Sequence, residues 1–275
     1  MTPLLLALGA SLAWGVGDFI GPVAARTTGS LPILAWSQAG GVAAIVVAVA
    51  VRAQGPGGWG VLYAIGAASA GLLGLFAYYR GMVAGAMSVV APIAGVSAII
   101  PVIYGIATGD SPSLPQVAGI AFALGGVVLA SLEHREGQRR VAAGAGLALL
   151  AAVGFGLYFP WMHAAGKVDF WWASLVFRTT ALLIVASVAV ERRPRLAIGR
   201  RYIAIGCAAG IIDTVGNVCF AASSGRGLVS LTAVLASLYP VVTVLLAASV
   251  LRERVAGLQK AGIVLTLSGV VLISV

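Results

Sequence analysis

The chain has 275 residues, of which 60% are hydrophobic and only 9% charged, and its mean hydropathy is +1.05. Soluble domains carry about 25% charged residues, so this composition excludes a protein surrounded by water and indicates one that lies largely in lipid. The net charge of +9 comes from short basic clusters between apolar runs, which is typical of membrane loops and argues against nucleic-acid binding.

Apolar runs follow one another along the chain, each long enough for a helix to cross the hydrocarbon core, which takes roughly 20 residues. Ten such spans are predicted, near 4–25, 31–51, 59–80, 86–107, 114–132, 143–165, 170–190, 202–222, 228–250 and 257–275. Turn and charge signals separate them, such as RTTGS after the first run. The weakest boundary is the turn inferred within 80–88. Because the runs are continuous and not alternating, helices are expected and not a barrel.

The fifth run is written again at the end of the chain. QVAGIAFALGGVVLAS (116–131) and QKAGIVLTLSGVVLIS (259–274) are identical at ten of sixteen positions, and other segment pairs match at nearly the same offset. A first repeat over 1–132, a connecting loop at 133–142 and a second repeat over 143–275 are therefore predicted. Five crossings per copy would turn the second copy upside down, so the sequence predicts an all-α membrane protein of ten helices in two inverted five-helix repeats.

Three stretches carry a resemblance to a known family: LAWGVGDF near the start, FAYYRGMVAGAMSVVAPI, and the C-terminal run that contains Tyr239–Pro240 and the RER loop at 252–254. In these stretches the chain resembles the EamA family of the drug/metabolite transporter superfamily, over essentially its whole length and once per half. The resemblance implies a central substrate cavity between two inverted halves and a function, in most members, as an exporter of small metabolites. The first half departs from the pattern, with Gly109–Asp110 where the second has Arg252–Glu253.

Three charged residues fall inside predicted spans away from their loop-facing ends, where a charge costs about 2.5–3.5 kcal/mol and is expected to face the bundle interior. They are Asp18, Arg178 and Asp213. Asp18 either contributes to the cavity or lies solvated near the mouth of the first span. Arg178 either pairs with Asp213 or anchors a substrate carboxylate, and the sequence leaves both alternatives open.

The counterparts of these charged residues in the other repeat are uncharged. Arg178 aligns with Gln38, Asp18 with Phe159 and Asp213 with Leu73. Each acid therefore occurs once, as a site that is asymmetric toward its ligand requires.

Aromatic side chains with a polar tip suit a cavity that selects organic molecules, although helix packing is the alternative for each. The predicted substrate-binding set comprises Trp14, Asp18, Gln38, Tyr78, Tyr79, Tyr158, Arg178, Asp213, Asn217, Tyr239 and Pro240. Pro240 is predicted to break its helix near the site. His163, near the end of the sixth span, is expected to be a solvated loop-end histidine.

Loop charges give a prediction of orientation that conflicts with the family. Thirteen Lys and Arg residues fall in loops after odd-numbered spans, whereas loops after even-numbered spans hold only Arg52, Lys167 and Arg226. The positive-inside rule then places both termini outside, while members of the family are usually drawn with both termini inside. The charge count is the preferred interpretation.

The expected function is that of a secondary active transporter in the cell (inner) membrane, exporting small organic metabolites, with amino acids as the leading substrates. Its partners would be the substrate, the lipid bilayer and, if transport is coupled, protons. A multidrug or cation exporter and a passive facilitator are the alternatives. No nucleophile–base pair or metal-ligand cluster stands out, so no enzyme, cofactor or metal is expected. A monomer would suffice, because ten spans complete the two-repeat unit.

Overall fold

The computed structural model describes residues 2–84, 96–131, 145–194, 196–250 and 257–274, in which every regular element is helical. Apolar side chains face lipid there, and the backbone satisfies its own hydrogen bonds as a helix. The helices are α1 (Thr2–Thr28), α2 (Ser30–Arg52), α3 (Tyr63–Ala84), α4 (Ile99–Ala107), α5 (Leu114–Ser131), α6 (Ala145–Arg192), α7 (Arg200–Ser224), α8 (Val229–Ala236), α9 (Tyr239–Val250) and α10 (Gly257–Ser274). Short 3₁₀ turns at Trp59–Leu62 and Val96–Ala98 precede α3 and α4.

Some predictions fall outside the described residues. These are most of the turn inferred within 80–88, the loop at 133–142 and the RER loop at 252–254. Within the described ranges, six stretches are long and apolar enough to cross a membrane, and parts of α5 and α10 form shorter apolar helices. The chain is therefore a multi-pass α-helical membrane protein, while the count of ten spans stays a prediction.

Helix α6 folds back on itself at Asp169. The Asp169 backbone is extended, with φ −162° and ψ 106°, and the ring centroids of Tyr158 and Phe177 lie 5.4 Å apart. A straight helix would separate residues nineteen positions apart by about 28 Å. The chain therefore reverses at Asp169, and α6 consists of a first arm before this residue and a second arm after it. This reversal agrees with the predicted boundary between spans six and seven.

The duplicated segments meet in the crossing of α5 and α10. A methyl group on Gly119 would lie 2.8 Å from the carbonyl oxygen of Gly269, and one on Gly126 would lie 2.7 Å from that of Gly262. At the repeat offset, Gly119 corresponds to Gly262 and Gly126 to Gly269. Each glycine of α5 thus contacts the residue of α10 that corresponds to the other glycine of α5. This pattern requires the two helices to run in opposite directions. The two copies of this segment are related by a two-fold axis perpendicular to the helices.

The same two-fold relation holds for two other helix pairs: the contact of α1 with α7 corresponds to the contact of the first arm of α6 with α3. A methyl group on Gly216 would lie 2.5 Å from the Trp14 ring, and one on Gly74 would lie 2.8 Å from the Phe155 ring. Trp14 corresponds to Phe155 at an offset of 141, and Gly74 to Gly216 at 142. The duplication is therefore visible in side-chain packing as well as in the sequence.

These contacts correct one pairing made from the sequence. A methyl group on Gly17 would lie 3.7 Å from Asp213 Cβ, and one on Gly71 would lie 3.8 Å from the Tyr158 ring. The counterpart of Asp213 is therefore Gly71 and not Leu73, whose side chain is 50% exposed. The alignment slipped by two residues because apolar segments offer few identities that fix their register.

Candidate functional site

A buried guanidinium lies where α2, α7 and the second arm of α6 meet. Arg178 is 1% exposed; its Nη1 donates to Gln38 Oε1 at 3.0 Å, and its Nη2 pairs with the Asp213 carboxylate. The Asp213 side chain is 34% exposed, so the pair is accessible from the side of the acid. Of the two roles that the sequence left open for Arg178, the structure shows the ion pair with Asp213. The aligned residues Gln38 and Arg178 also touch each other, which places them on the two-fold axis.

Small residues on α2 make room for this guanidinium. A methyl group on Gly41 would lie 2.7 Å from Thr214 Oγ1 and 3.2 Å from Arg178 Cδ. The Thr214 hydroxyl donates to the carbonyl oxygen of Gly210 at 2.7 Å. Gly41 and Thr214 were absent from the predicted site. The Gly40–Gly41 pair, one turn from Gln38, was the signal that could have revealed the close approach.

A second polar pair lies one helical turn away. Tyr158 donates its hydroxyl hydrogen to Asn217 Oδ1 at 2.8 Å, and both side chains are buried. Asn217 follows Asp213 by four residues on α7 and therefore shares its face. The Phe177 ring connects the two pairs, because it packs on Tyr158 and lies 5.7 Å from Arg178 Cζ. Tyr158, Asn217, Arg178 and Asp213 thus form one polar layer.

Two donors of this layer have no protein acceptor. Among the described residues, Arg178 Nε and Asn217 Nδ2 are buried without a hydrogen-bond partner. The large majority of buried side-chain polar atoms have a partner, and each unsatisfied donor costs about 1–3 kcal/mol. Both groups could donate to a carboxylate or carbonyl oxygen brought in by a ligand.

Aromatic rings surround Trp14 beside this layer. Its ring centroid lies 5.8 Å from that of Tyr158 and 6.3 Å from that of Tyr239, with both pairs edge to face. Phe159 and Phe220 complete the cluster at 6.2 and 6.1 Å from Trp14. The sequence predicted the Trp and the two Tyr but missed the Phe residues, because only aromatics with a polar tip were considered.

A second acid lies beside the aromatic cluster. Asp18 is exposed and lies within electrostatic range of Asp213 and of the hydroxyls of Tyr78 and Tyr239. Tyr78 also packs on Phe155, at 6.0 Å between ring centroids. Asp18 therefore extends the polar layer toward Tyr78 and Tyr239.

The remaining predicted residues are placed as follows. The break between α8 and α9 falls at Ser237 and Leu238, so Pro240 lies in the first turn of α9, where proline is tolerated. The side chain of Tyr79 lies outside the described part of the chain. The expectation of a solvated His163 is wrong: its side chain is 6% exposed and its ring packs on Tyr104. The first arm of α6 continues past His163 to Asp169, which keeps this histidine inside the bundle.

Replacing Tyr158 by Phe is expected to destabilise the protein by about 1–2 kcal/mol, because Asn217 Oδ1 would lose its buried donor. The control is Tyr63→Phe, since Tyr63 is 50% exposed and its loss should leave stability nearly unchanged. Thermal unfolding of both variants in detergent measures the difference. Equal unfolding temperatures for the two variants would contradict the assigned hydrogen bond.

The fold and this polar layer define a class: a multi-pass membrane protein made of two related halves with charged groups buried between them. The family model for the EamA-like transporter family matches residues 1–132 and again residues 142–275. The chain belongs to this family, part of the drug/metabolite transporter superfamily, whose members are transporters and not enzymes.

Solved structures share the fold. One described as "Crystal structure of protein" is similar over 98% of this chain and 95% of its own, with a TM-score of 0.76 and 19% sequence identity. No match was found among curated proteins. This structural similarity, at 19% sequence identity, supports the fold alone.

Proposed function

We propose that this protein is a secondary active transporter that exports small organic metabolites, amino acids above all, by alternating access coupled to protons. The observation that carries the proposal is the buried Arg178, which is paired on one side with Asp213 and retains an Nε donor without a protein acceptor. Such a site offers a cation to a carboxylate and a carboxylate to an ammonium group. The direction of transport, export, is proposed by analogy with most members of the family.

Each part of an amino acid finds a complementary group. The substrate carboxylate would accept from Arg178 Nε and Asn217 Nδ2, which removes two unsatisfied donors. Its ammonium group would lie against Asp213, on the exposed side of the ion pair. An apolar side chain would pack on the rings around Trp14.

The charges of the site support proton coupling. Asp18, Asp213 and Arg178 together have a formal charge of −1, and a zwitterion does not change this sum. Because a net charge is costly to move through a bilayer, the loaded site is most easily reoriented with one proton bound. Asp18, which is exposed beside the paired Asp213, is the proposed proton carrier.

Transport in proteoliposomes tests the substrate class. Vesicles are loaded with an unlabelled amino acid and given a trace of labelled amino acid outside, so that exchange accumulates the label. Neutral apolar amino acids are expected to exchange and sugars are not. Failure of every amino acid in the panel to enter faster than into empty vesicles would contradict the amino-acid proposal.

Replacing Asp18 by Asn is expected to abolish uphill accumulation driven by a pH gradient while preserving exchange, because a carboxamide carries no proton. For one proton per substrate, a gradient of about one pH unit drives at most about tenfold accumulation, and the variant should show none. Glu191→Gln, at the exposed end of α6, is the matched control. Undiminished accumulation by the Asp18→Asn variant would rule out this carrier.

A second candidate, an exporter of organic cations, is favoured by the same excess of acid over base. A monovalent cation would neutralise the site without a proton and would not need Arg178. Under this alternative, Arg178→Met should spare transport of a labelled quaternary amine, whereas Asp213→Asn should abolish it. A passive facilitator, the third possibility, would show no uphill accumulation with any substrate.

A further inference from the structure

A basic cavity of about 240 Å³ opens where the two arms of α6 meet. We call it the arm-junction cavity; its lining includes Arg52, Lys167, Asp169, Phe170 and Arg226. The three basic residues are the only Lys and Arg that the sequence assigns to loops after even-numbered spans. Three loops far apart in the chain thus each bring one basic side chain to a single place.

The acid of this cavity is already engaged. Both Asp169 carboxylate oxygens accept from Arg52 Nη1, at 2.7 and 2.6 Å, and Oδ1 also accepts from the backbone amides of Trp171 and Trp172. No other described carboxylate forms an ion pair with Lys167 or Arg226. The cavity therefore has a formal charge of +2 on residues that are exposed to a ligand.

An aromatic ring positions one of these cations. Arg226 Cζ lies 5.3 Å from the centroid of the Phe170 ring. Stacking on a ring orients a guanidinium while leaving its N–H donors available. Arg226 is thus held where it can donate to a planar or tetrahedral anion.

An apolar groove lies next to the cavity, between α2 and α7. It has a volume of about 200 Å³, and its lining includes Ala44, Ala48, Trp171, Val215 and Val218. Val215 is 51% exposed, as expected of a side chain that faces lipid.

The cavity and the groove lie along the same three helices, although no residue lines both. Ala48 and Arg52 are four residues apart on α2, Val218 and Ala222 are four apart on α7, and Phe170 adjoins Trp171. Residues four apart lie on one helix face, so the basic cavity and the apolar groove are neighbours along these helices.

We propose that this surface binds one anionic phospholipid, with its phosphate between Lys167 and Arg226 and an acyl chain along the groove. A soluble anion would leave the groove empty, and the cationic headgroup of a zwitterionic lipid would be repelled by the charge of +2. The lipid would bridge α2, α6 and α7, the helices that carry Gln38, Arg178 and Asp213. It would thereby join the two repeats beside the transport site.

Lipid binding to the purified protein in neutral detergent tests this proposal. Native mass spectrometry compares phosphatidylglycerol with phosphatidylcholine of the same chains. The protein is expected to bind phosphatidylglycerol preferentially. The Lys167→Gln/Arg226→Gln variant should bind it about 30-fold more weakly, because each basic residue near a headgroup contributes about fivefold. The Arg200→Gln/Arg201→Gln variant loses the same charge at exposed positions of α7 and should bind as the wild type does.

Two further measurements distinguish binding of a lipid from binding of a free anion. Inorganic phosphate at the same concentration is expected neither to bind nor to displace the lipid, and Ala48→Phe, which narrows the groove, should weaken lipid binding. The proposal is overturned if inorganic phosphate binds as tightly as phosphatidylglycerol, if phosphatidylcholine binds equally well, or if the Lys167→Gln/Arg226→Gln variant keeps full affinity.

Discussion

Replacing Asp213 by Leu is expected to lower the free energy of unfolding by about 3–5 kcal/mol, because it leaves a buried guanidinium without its carboxylate. Arg178 is 1% exposed and cannot recover this loss from water. The reverse change, Arg178→Met, leaves a carboxylate whose side chain is 34% exposed and can be hydrated. We therefore expect it to cost about half as much, an asymmetry that follows directly from the geometry of the pair.

The double variant, Arg178→Met with Asp213→Leu, separates stability from function. Removing both charges should restore most of the stability, since apolar replacements of buried pairs are often neutral or better. Amino-acid transport should be lost in all three variants. Each lacks Arg178, which would bind the substrate carboxylate, or Asp213, which would bind its ammonium group, or both. Thermal unfolding in detergent and exchange in proteoliposomes give the two readouts. A double variant that is no more stable than Asp213→Leu would show that the ion pair is not the source of the loss.

Replacing Gly126 by Ala is expected to destabilise the crossing of α5 and α10 by about 1–3 kcal/mol through overpacking. The added methyl would lie 2.5 Å from the Thr266 amide nitrogen and 2.7 Å from the Gly262 carbonyl oxygen. Both are backbone atoms, so the helices would have to separate to accept it.

The adjacent glycine provides a matched control for this substitution. A methyl group on Gly125 would meet only Leu265 Cδ2, at an ordinary 3.7 Å, and alanine is the better helix former by about 1 kcal/mol. Gly125→Ala should therefore be neutral or slightly stabilising in the same unfolding assay. Similar losses at both positions would mean that the crossing is looser than described.

Repetition in the sequence was sufficient to predict a helical membrane protein built from two repeats. The matched segments ending at Ser131 and Ser274 predicted a duplication, and their glycines proved to be the contacts through which the copies meet. The reversal at Asp169 was also predictable, because a charged residue interrupts a run too long for one crossing. Register was harder: Asp213 was paired with Leu73 and not Gly71, since apolar residues substitute for one another and leave little to align.

For the polar layer, the sequence indicated several of the residues but not the contacts between them. Intramembrane charge identified Arg178 and Asp213, yet it could not decide which group Arg178 binds, because that depends on how α6 and α7 pack. Gly41 was missed because its role is to leave space for Arg178, and a residue without a side chain gives no sign of this role in the sequence. His163 was misjudged for a related reason: where a span ends was inferred from charge, and the helix runs on past Lys167.

The contact between Gln38 and Arg178 has a consequence for the resting protein under the alternating-access proposal. If the two copies exchanged conformations during transport, Gln38 and Arg178 would stay in contact on the axis. Only the second copy, however, supplies a guanidinium and the acid that neutralises it. Under that proposal the two end states would differ in energy, and the unloaded transporter would spend most of its time open toward one side of the bilayer. The near-symmetry of the two copies would permit the transport cycle, and the unlike residues Gln38 and Arg178 on the axis would determine which end state is more populated.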